Sequence, residues 1–238
     1  MRVVALLLSG LIATAAQAQA PAELDRLYAA GKYRDVVVRL FEPADNAQAR
    51  VLLGWAQARV QDAGPHVLSV AYSDMLWKIG QGQASDPLRE ESVLVLLYAI
   101  LSVGVDGAKC ADTAAADARV RQILSTRQDR LAFARRLPAE RRRALREQAV
   151  ALEQTTASRR PDDLDICASG PDEIARQLAT PGTTTRELPL RPGEAKRTID
   201  IEPGPSYRPR LLAPSRWHSR QVQVRAKFMK ILDGLVPA

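Results

Sequence analysis

Cysteine and histidine are scarce in this sequence, with two of each among 238 residues, and this restricts the chemistry that the protein can perform. No C-x-x-C pair, no haem-attachment C-x-x-C-H and no H-E-x-x-H zinc motif is present. A glycine-rich phosphate loop, an acidic calcium loop and the G-x-S-x-G elbow of serine hydrolases are also absent. The sequence therefore predicts no cofactor and no metal. A Ser-His-Asp triad would have to use His66 or His218.

Long apolar runs are also few, and the first one lies at the N-terminus. Val3–Ala16 follows the positively charged Met1-Arg2 and leads into Ala16-Gln17-Ala18, the small-x-small pattern that signal peptidase cleaves. We expect residues 1–18 to be a Sec-type signal peptide, with an uncleaved anchor as the alternative. No cysteine lies directly after the run, which excludes lipid attachment at a mature N-terminal cysteine. Abundant alanine and an excess of arginine over lysine suggest a bacterial chain, so a periplasmic or secreted location is predicted.

The second apolar run, Ser92–Val105, contains no charged residue. Asp86 and Pro87 precede it, and both residue types are favoured at the start of a helix. A helix that is apolar on every side must be surrounded by other helices or by lipid. Because spanning a bilayer takes about 20 apolar residues, this run is too short to cross one. It predicts a buried central helix.

The two cysteines, Cys110 and Cys167, lie in polar turns of the segment that we expect to be exported. An oxidising compartment and an even number of cysteines favour a disulfide. A metal pair or a catalytic thiol are the alternatives, but neither His66 nor His218 is near a cysteine in sequence. We therefore predict that Cys110 and Cys167 form a structural disulfide.

Two helical faces follow one another near the N-terminus, separated by a turn at Gly31. Tyr28 belongs to the first face, and Tyr33 and Val36 belong to the second. Together with Leu53-Gly54, these residues resemble a tetratricopeptide-type helical repeat over residues 23–64. The resemblance implies helical hairpins stacked side by side, and it implies a role in binding a protein or peptide.

Further helices are predicted from the apolar period and the capping residues. A helix is expected from His66 to Gly80, a long one from Asp112 or Thr113 to Arg136, one over Ala139–Thr155 and a short one over Asp172–Leu178. Residues 19–179 are thus predicted to form a helical domain.

The C-terminal segment, residues 180–238, has a different character because seven prolines lie between Thr180 and Pro214. Proline removes a backbone donor and prevents helix formation, so an extended strap is predicted there. Thr183–Leu188 and Arg197–Ile201 have mild strand character, which is compatible with a small hairpin. A final amphipathic helix, capped by Ser215, is expected from Arg216 to about Leu235.

This final helix is the predicted binding surface for a partner or for an anionic surface. Its candidate residues are Trp217, Arg220, Val224, Arg225, Lys227, Phe228, Lys230 and Ile231. Basic amphipathic helices lie on anionic membranes or dock in a partner's groove. An apolar helical stripe can equally complete the core of its own domain. From Thr183 onward there are eleven basic and five acidic residues, a net +6 of the chain's formal +7, so the positive charge is concentrated in this segment.

The sequence as a whole predicts a mainly α fold, with stacked helical hairpins around a buried central helix. The predicted function is that of an exported interaction or scaffold protein without catalytic activity, which binds a protein or peptide in the cell envelope. The first alternative is an envelope-surface binder that uses the basic C-terminal segment on anionic lipid or cell-wall polymer. The second is a hydrolase, which would require a cleft around Glu90, Glu91 or His66. Nucleic acid is not an expected partner of an exported protein.

Overall fold

The computed structural model describes residues 20–187 and 199–237, and within them the chain is mainly helical, as predicted. The helices are α1 (residues 20–29), α2 (Tyr33–Leu40), α3 (Asn46–Gln61), α4 (His66–Gly82), α5 (Asp86–Gly107), α6 (Ala115–Ser125), α7 (Gln128–Arg136), α8 (Ala139–Thr156), α9 (Leu164–Cys167), α10 (Pro171–Ala179), α11 (Pro214–Ala226) and α12 (Phe228–Leu235). The predicted signal peptide, residues 1–18, lies outside the described residues.

A two-stranded antiparallel sheet accompanies the helices. Strand β1 (Thr184–Glu187) pairs with β2 (Ile199–Glu202), and Thr184 lies opposite Glu202. These strands coincide with the two segments of predicted strand character. Both strands are short and largely exposed, so the pair adds little to the protein interior.

Helix α5 is the predicted buried helix. Between Ser92 and Val105 every residue is buried except Leu94 and Gly104. The helix starts at Asp86, whose carboxylate pairs at 2.5 Å with Arg89 one turn later. None of the helices in residues 20–187 and 199–237 combines the length and the apolarity that a membrane crossing requires.

The described chain divides into two compact units that alternate along the sequence. The first unit comprises residues 20–102, 128–161 and 229–237; the second comprises residues 103–127, 162–187 and 199–228. This division differs from the boundary at residue 180 that composition predicted. The reason is that contacts between segments distant in sequence, and not changes in composition, define a compact unit.

The core of the first unit lies among the N-terminal helices and α5. Helices α2, α3 and α4 pack against one another, and Val95 and Tyr98 of α5 join the same apolar cluster. The cluster consists of Leu24, Val36, Leu40, Leu52, Trp55, Ala56, Val60, Leu68, Ala71, Tyr72, Met75, Leu76, Val95 and Tyr98.

The second unit is held together by the predicted disulfide. Cys110 and Cys167 lie within bonding distance, with their Cα atoms 5.1 Å apart. Cys110 also forms an isolated β-bridge with Leu211, so the disulfide connects three chain segments. Gly170 is required at the start of α10, because a Cβ atom there would collide with the Asp112 carboxylate that accepts from the backbone N–H of Asp172.

Two predicted helices are interrupted in the structure, and these predictions were wrong in their continuity. The helix expected to reach Arg136 ends at Ser125, and α7 starts at Gln128. The Arg127 side chain donates to the Ile123 carbonyl at 2.8 Å, and that carbonyl would otherwise accept from the Arg127 backbone N–H. The final helix breaks at Lys227, whose N–H bonds the Val224 carbonyl three residues back, and it starts at Pro214, without a Ser215 cap.

Candidate functional site

Two residues of the repeat resemblance, Tyr28 and Tyr33, belong to an aromatic cluster in the first unit. The Tyr28 ring lies 5.6 Å from the Tyr33 ring and 6.0 Å from the Trp55 ring. The guanidinium of Arg59 lies about 5 Å from both the Tyr28 and Trp55 ring centroids, and it donates to Asp25 at 2.8 Å. Since Trp55 Nε1 also donates to Asp25, this cluster joins α1 to α3. Gly31, with φ of +69°, provides the turn between α1 and α2.

An apolar groove lies beside this hairpin, within the first unit. Its cavity volume is about 330 Å³, and its walls come from the end of α2, the following loop, the start of α3 and the end of α4. The lining residues are Leu40, Phe41, Pro43, Ala49, Met75, Lys78, Ile79, Gly82 and Gln83. The volume falls within the range typical of ligand-binding sites, roughly 300–1,000 Å³.

The loop that forms one wall of the groove is held by side-chain hydrogen bonds. Asp45 caps α3 by accepting from the Gln48 N–H at 2.7 Å. The Gln48 side chain in turn accepts from the Ala44 N–H at 2.5 Å, an arrangement similar to a capping box. Phe41 and Pro43 are therefore presented by an ordered turn. Phe41 remains 37% exposed although it is a large apolar residue.

The side chains that line the groove are mainly apolar. Among the described residues, the lining contains no Asp, Glu, His, Cys, Ser, Thr or Tyr. Its single charged residue is the exposed Lys78, which forms no ion pair with any residue in the described part of the chain. The groove thus suits an apolar group that is accompanied by a negative charge.

The acidic residues on which a hydrolase would depend are engaged in other contacts. Glu90 forms an ion pair with Arg141, and Glu91 accepts from the Tyr72 hydroxyl at 2.8 Å. Burial and this hydrogen bond to Glu91 raise the pKa of Tyr72 above its usual value. His66 is buried at the start of α4. None of these three predicted residues lines the groove.

A buried polar network links α4, α5 and α7 of the first unit. Ser73 and Ser92 are both fully buried, and their hydroxyls exchange hydrogen bonds with each other's backbone carbonyls at 2.8 Å. Arg130 donates to Ser73 Oγ at 3.0 Å and pairs with Asp74. The Ser73 hydroxyl contacts both Ser92 and Arg130. This serine therefore links α4 to α5 and α7.

The predicted binding residues of the C-terminal helix are divided between the two units. Of the eight, Lys230 and Ile231 belong to the first unit and the other six to the second. Phe228 is only 3% exposed, so its ring is inaccessible to a partner in this structure. Ile231 is exposed, whereas its neighbour Leu232 is buried.

Most of the apolar side of α11 packs on its own unit. The Lys109 ammonium lies 5.5 Å from the centroid of the half-buried Trp217 ring, and the same ammonium pairs with Asp162 at 2.7 Å. Gln221 is buried and donates to the Val105 carbonyl at 3.2 Å. At about 100° per residue, Arg216, Arg220 and Lys227 lie beside these contacts, about 90° around the helix axis from them.

A buried carboxylate in the second unit, Glu173, holds the segment that precedes α11. Glu173 is fully buried and accepts from Arg210 Nε at 2.7 Å and from the Tyr207 hydroxyl at 3.0 Å, while Arg176 also pairs with it. Burial alone would raise the pKa of Glu173, but the hydrogen bonds from Arg210 and Tyr207 and the positive charges of Arg176 and Arg210 hold this pKa below the usual 4.5. Burial, followed by the bond to Glu173, raises the pKa of Tyr207 to about 12.

This cluster predicts an acid-sensitive contribution to stability. Because the pKa of Glu173 is lowered on folding, its contribution is present above pH 4.5 and is lost as the pH falls through the folded-state value. We expect the free energy of unfolding to decline over that interval, measured by urea denaturation at a series of pH values. Glu173→Gln should lose about 1–3 kcal/mol at neutral pH and show a weaker decline in acid. An unchanged decline in Glu173→Gln would contradict the assignment.

Comparison with known proteins adds no relative: no family model, no curated protein and no solved structure matches this chain. The resemblance to tetratricopeptide-type repeats therefore depends on the residues already described. The groove residues were not predicted from the sequence.

Proposed function

We propose that this protein is an exported, non-catalytic interaction protein that binds a partner polypeptide in the groove between α2, α3 and α4. The observation that carries this proposal is the groove itself, an apolar cavity of about 330 Å³ with Lys78 in its lining. Export is supported by the N-terminal sequence pattern and is compatible with the Cys110–Cys167 disulfide. The stacked arrangement of a tetratricopeptide-like protein is part of the same proposal.

The chemistry of the groove indicates which part of a partner it would accept. Leu40, Met75 and Ile79 provide an apolar floor, which favours a large apolar side chain. Lys78 favours a carboxylate nearby, because opposite charges at an interface increase specificity and the association rate. The proposed ligand is therefore a peptide segment that presents an apolar side chain next to an acidic residue.

Filling the groove tests the proposal. A Cβ atom at Gly82 would meet nothing within 4 Å, so Gly82→Leu can place a side chain in the groove without disturbing the core. Gly54→Leu is the matched control, since Gly54 is also helical, lies in the same unit, has the same open space and does not line the groove. We expect Gly82→Leu to weaken partner binding at least tenfold, a loss of about 1.4 kcal/mol, and Gly54→Leu to leave it unchanged.

The partner for this measurement is obtained by photo-crosslinking in cells. A crosslinker at Phe41 is compared with one at Val222, which is exposed in the second unit. The partner captured at Phe41 alone is purified, and its crosslinked segment is synthesised and titrated by calorimetry. Weaker binding of this peptide to Lys78→Glu supports the acidic residue. Equal binding by Gly82→Leu and Gly54→Leu, or recovery of a bound lipid instead of a peptide, would overturn the proposal.

A second candidate function is binding to the anionic surface of the cell envelope. It is favoured by helix α11 and its C-cap residue Lys227. Together they carry four positively charged side chains, one histidine and no acidic residue. Arg216, Arg220 and Lys227 form no ion pair within residues 20–187 and 199–237.

A further inference from the structure

We infer that α11 is a binding site for anionic phospholipid headgroups, formed by the row of Arg216, Arg220 and Lys227, while the apolar side of the helix stays packed on the protein. This inference rests on the second candidate function and names its ligand, its residues and its mode of binding.

The spacing of the three cations places them in one row. They are separated by four and then seven positions, and an α-helix turns by about 100° per residue, so their directions fall within about 40° of one another. The row extends over about 16 Å along the axis, because each residue adds about 1.5 Å. The fourth residue of the row, Gln223, is neutral and exposed. We name this set of three cations the basic row.

The side of α11 next to the basic row, about 90° around the helix axis, is already packed within its unit. Trp217 is half-buried beneath the Lys109 ammonium, and Gln221 donates to the Val105 carbonyl. A Cβ atom at Gly104 would lie 3.3 Å from Val224, which shows how closely this side of the helix approaches α5. An amphipathic helix that enters a membrane uses its apolar side. Here that side is packed, so adsorption through the basic row is the mode that leaves the fold unchanged.

The basic row contains no apolar side chain. Protein interfaces draw most of their affinity from apolar and aromatic side chains in a desolvated centre. Val222, the exposed large apolar side chain of α11, points at least about 120° away from the row. A membrane surface needs no such centre, because each basic residue near anionic headgroups contributes independently of shape. A dense layer of phosphate groups is therefore favoured over an acidic protein.

The test compares two triple variants of the full chain that lose the same charge. The first, Arg216→Gln/Arg220→Gln/Lys227→Gln, removes the basic row. The second, Arg50→Gln/Arg121→Gln/Arg143→Gln, removes three exposed arginines from other helices. Binding is measured by co-sedimentation with vesicles of phosphatidylcholine alone and of equimolar phosphatidylcholine and phosphatidylglycerol.

We expect the wild type and the control variant to bind only the anionic vesicles, with an affinity that falls as salt is added. The basic-row variant should bind about 100-fold more weakly, since each cation contributes about fivefold. Equal losses in the two variants would overturn the inference, as would a wild type that ignores anionic vesicles but binds polyglutamate through the basic row. Quenching of tryptophan fluorescence by lipids brominated in their tails would overturn the adsorption mode. A failure here leaves the groove experiment unaffected, because that experiment uses variants of the first unit.

Discussion

Replacing Glu153 by glutamine should lower the free energy of unfolding by about 3–5 kcal/mol, because the change removes the carboxylate that pairs with the buried guanidinium of Arg160. The Glu153 side chain is fully buried and that of Arg160 is 3% exposed. Arg160 Nη2 donates to Glu153 Oε1 at 2.7 Å. Water can therefore do little to compensate for the missing charge.

The ion pair also orients a network that reaches the central helix. Arg160 Nη1 donates to Thr156 Oγ1 at 3.1 Å, and Thr156 Oγ1 lies 3.1 Å from the Tyr98 hydroxyl. Tyr98 is among the largest fully buried side chains of α5. Loss of Glu153 should therefore loosen the contact between α8 and α5, in addition to its electrostatic cost.

Urea denaturation of Glu153→Gln, Arg160→Met and the double variant Glu153→Met/Arg160→Met measures this effect. The double variant removes both charges, and such replacements are often neutral or stabilising. We expect it to be more stable than either single variant. A single variant within 1 kcal/mol of the wild type would show that the pair contributes little.

Removing the disulfide should have a second large effect, a loss of about 4 kcal/mol in the chain-entropy model. Cys110 and Cys167 are 57 residues apart in sequence, and the cross-link restricts the unfolded chain over that length. Both side chains are buried, so access of a reductant requires local opening.

The Cys110→Ala/Cys167→Ala variant is compared with the wild type in the presence and absence of a reductant. We expect the variant to be insensitive to the reductant and the oxidised wild type to be the most stable form. Hydrogen exchange should also increase around Leu211 and Leu212, because Cys110 forms a bridge with Leu211 and the Lys109 carbonyl accepts from the Leu212 N–H at 2.8 Å. Equal stability of the variant and the oxidised wild type would contradict the prediction.

Both changes concern contacts whose value the sequence could not reveal. The cysteine pair was predictable because only two cysteines exist and the expected compartment is oxidising. The ion pair was not, since Glu153 and Arg160 belong to a segment rich in arginine and acidic residues. Glu173 presents the same difficulty: its partners Tyr207 and Arg210 follow it by more than thirty residues.

The sequence predicted part of the C-terminal helix site and none of the groove. The basic character of the final helix is visible in its composition. The packing of Trp217 and Val224, and the burial of Phe228, depend on where the helix breaks and which residues it meets. The groove was missed because Phe41, Ala49 and Lys78 come from three separate elements, and no local pattern marks residues that become neighbours only after folding.

The sequence by itself determined the helical class, most helix positions, the buried character of α5 and the pairing of its two cysteines, because these depend on apolar period, capping residues and composition. Tertiary structure alone decided the division into two alternating units, the breaks near Thr126 and at Lys227, the partners of the buried charges and the groove. The physical reason is the distance along the chain over which each effect acts. Propensity and periodicity act over a few residues, whereas burial and long-range ion pairs depend on segments that only the folded chain brings together.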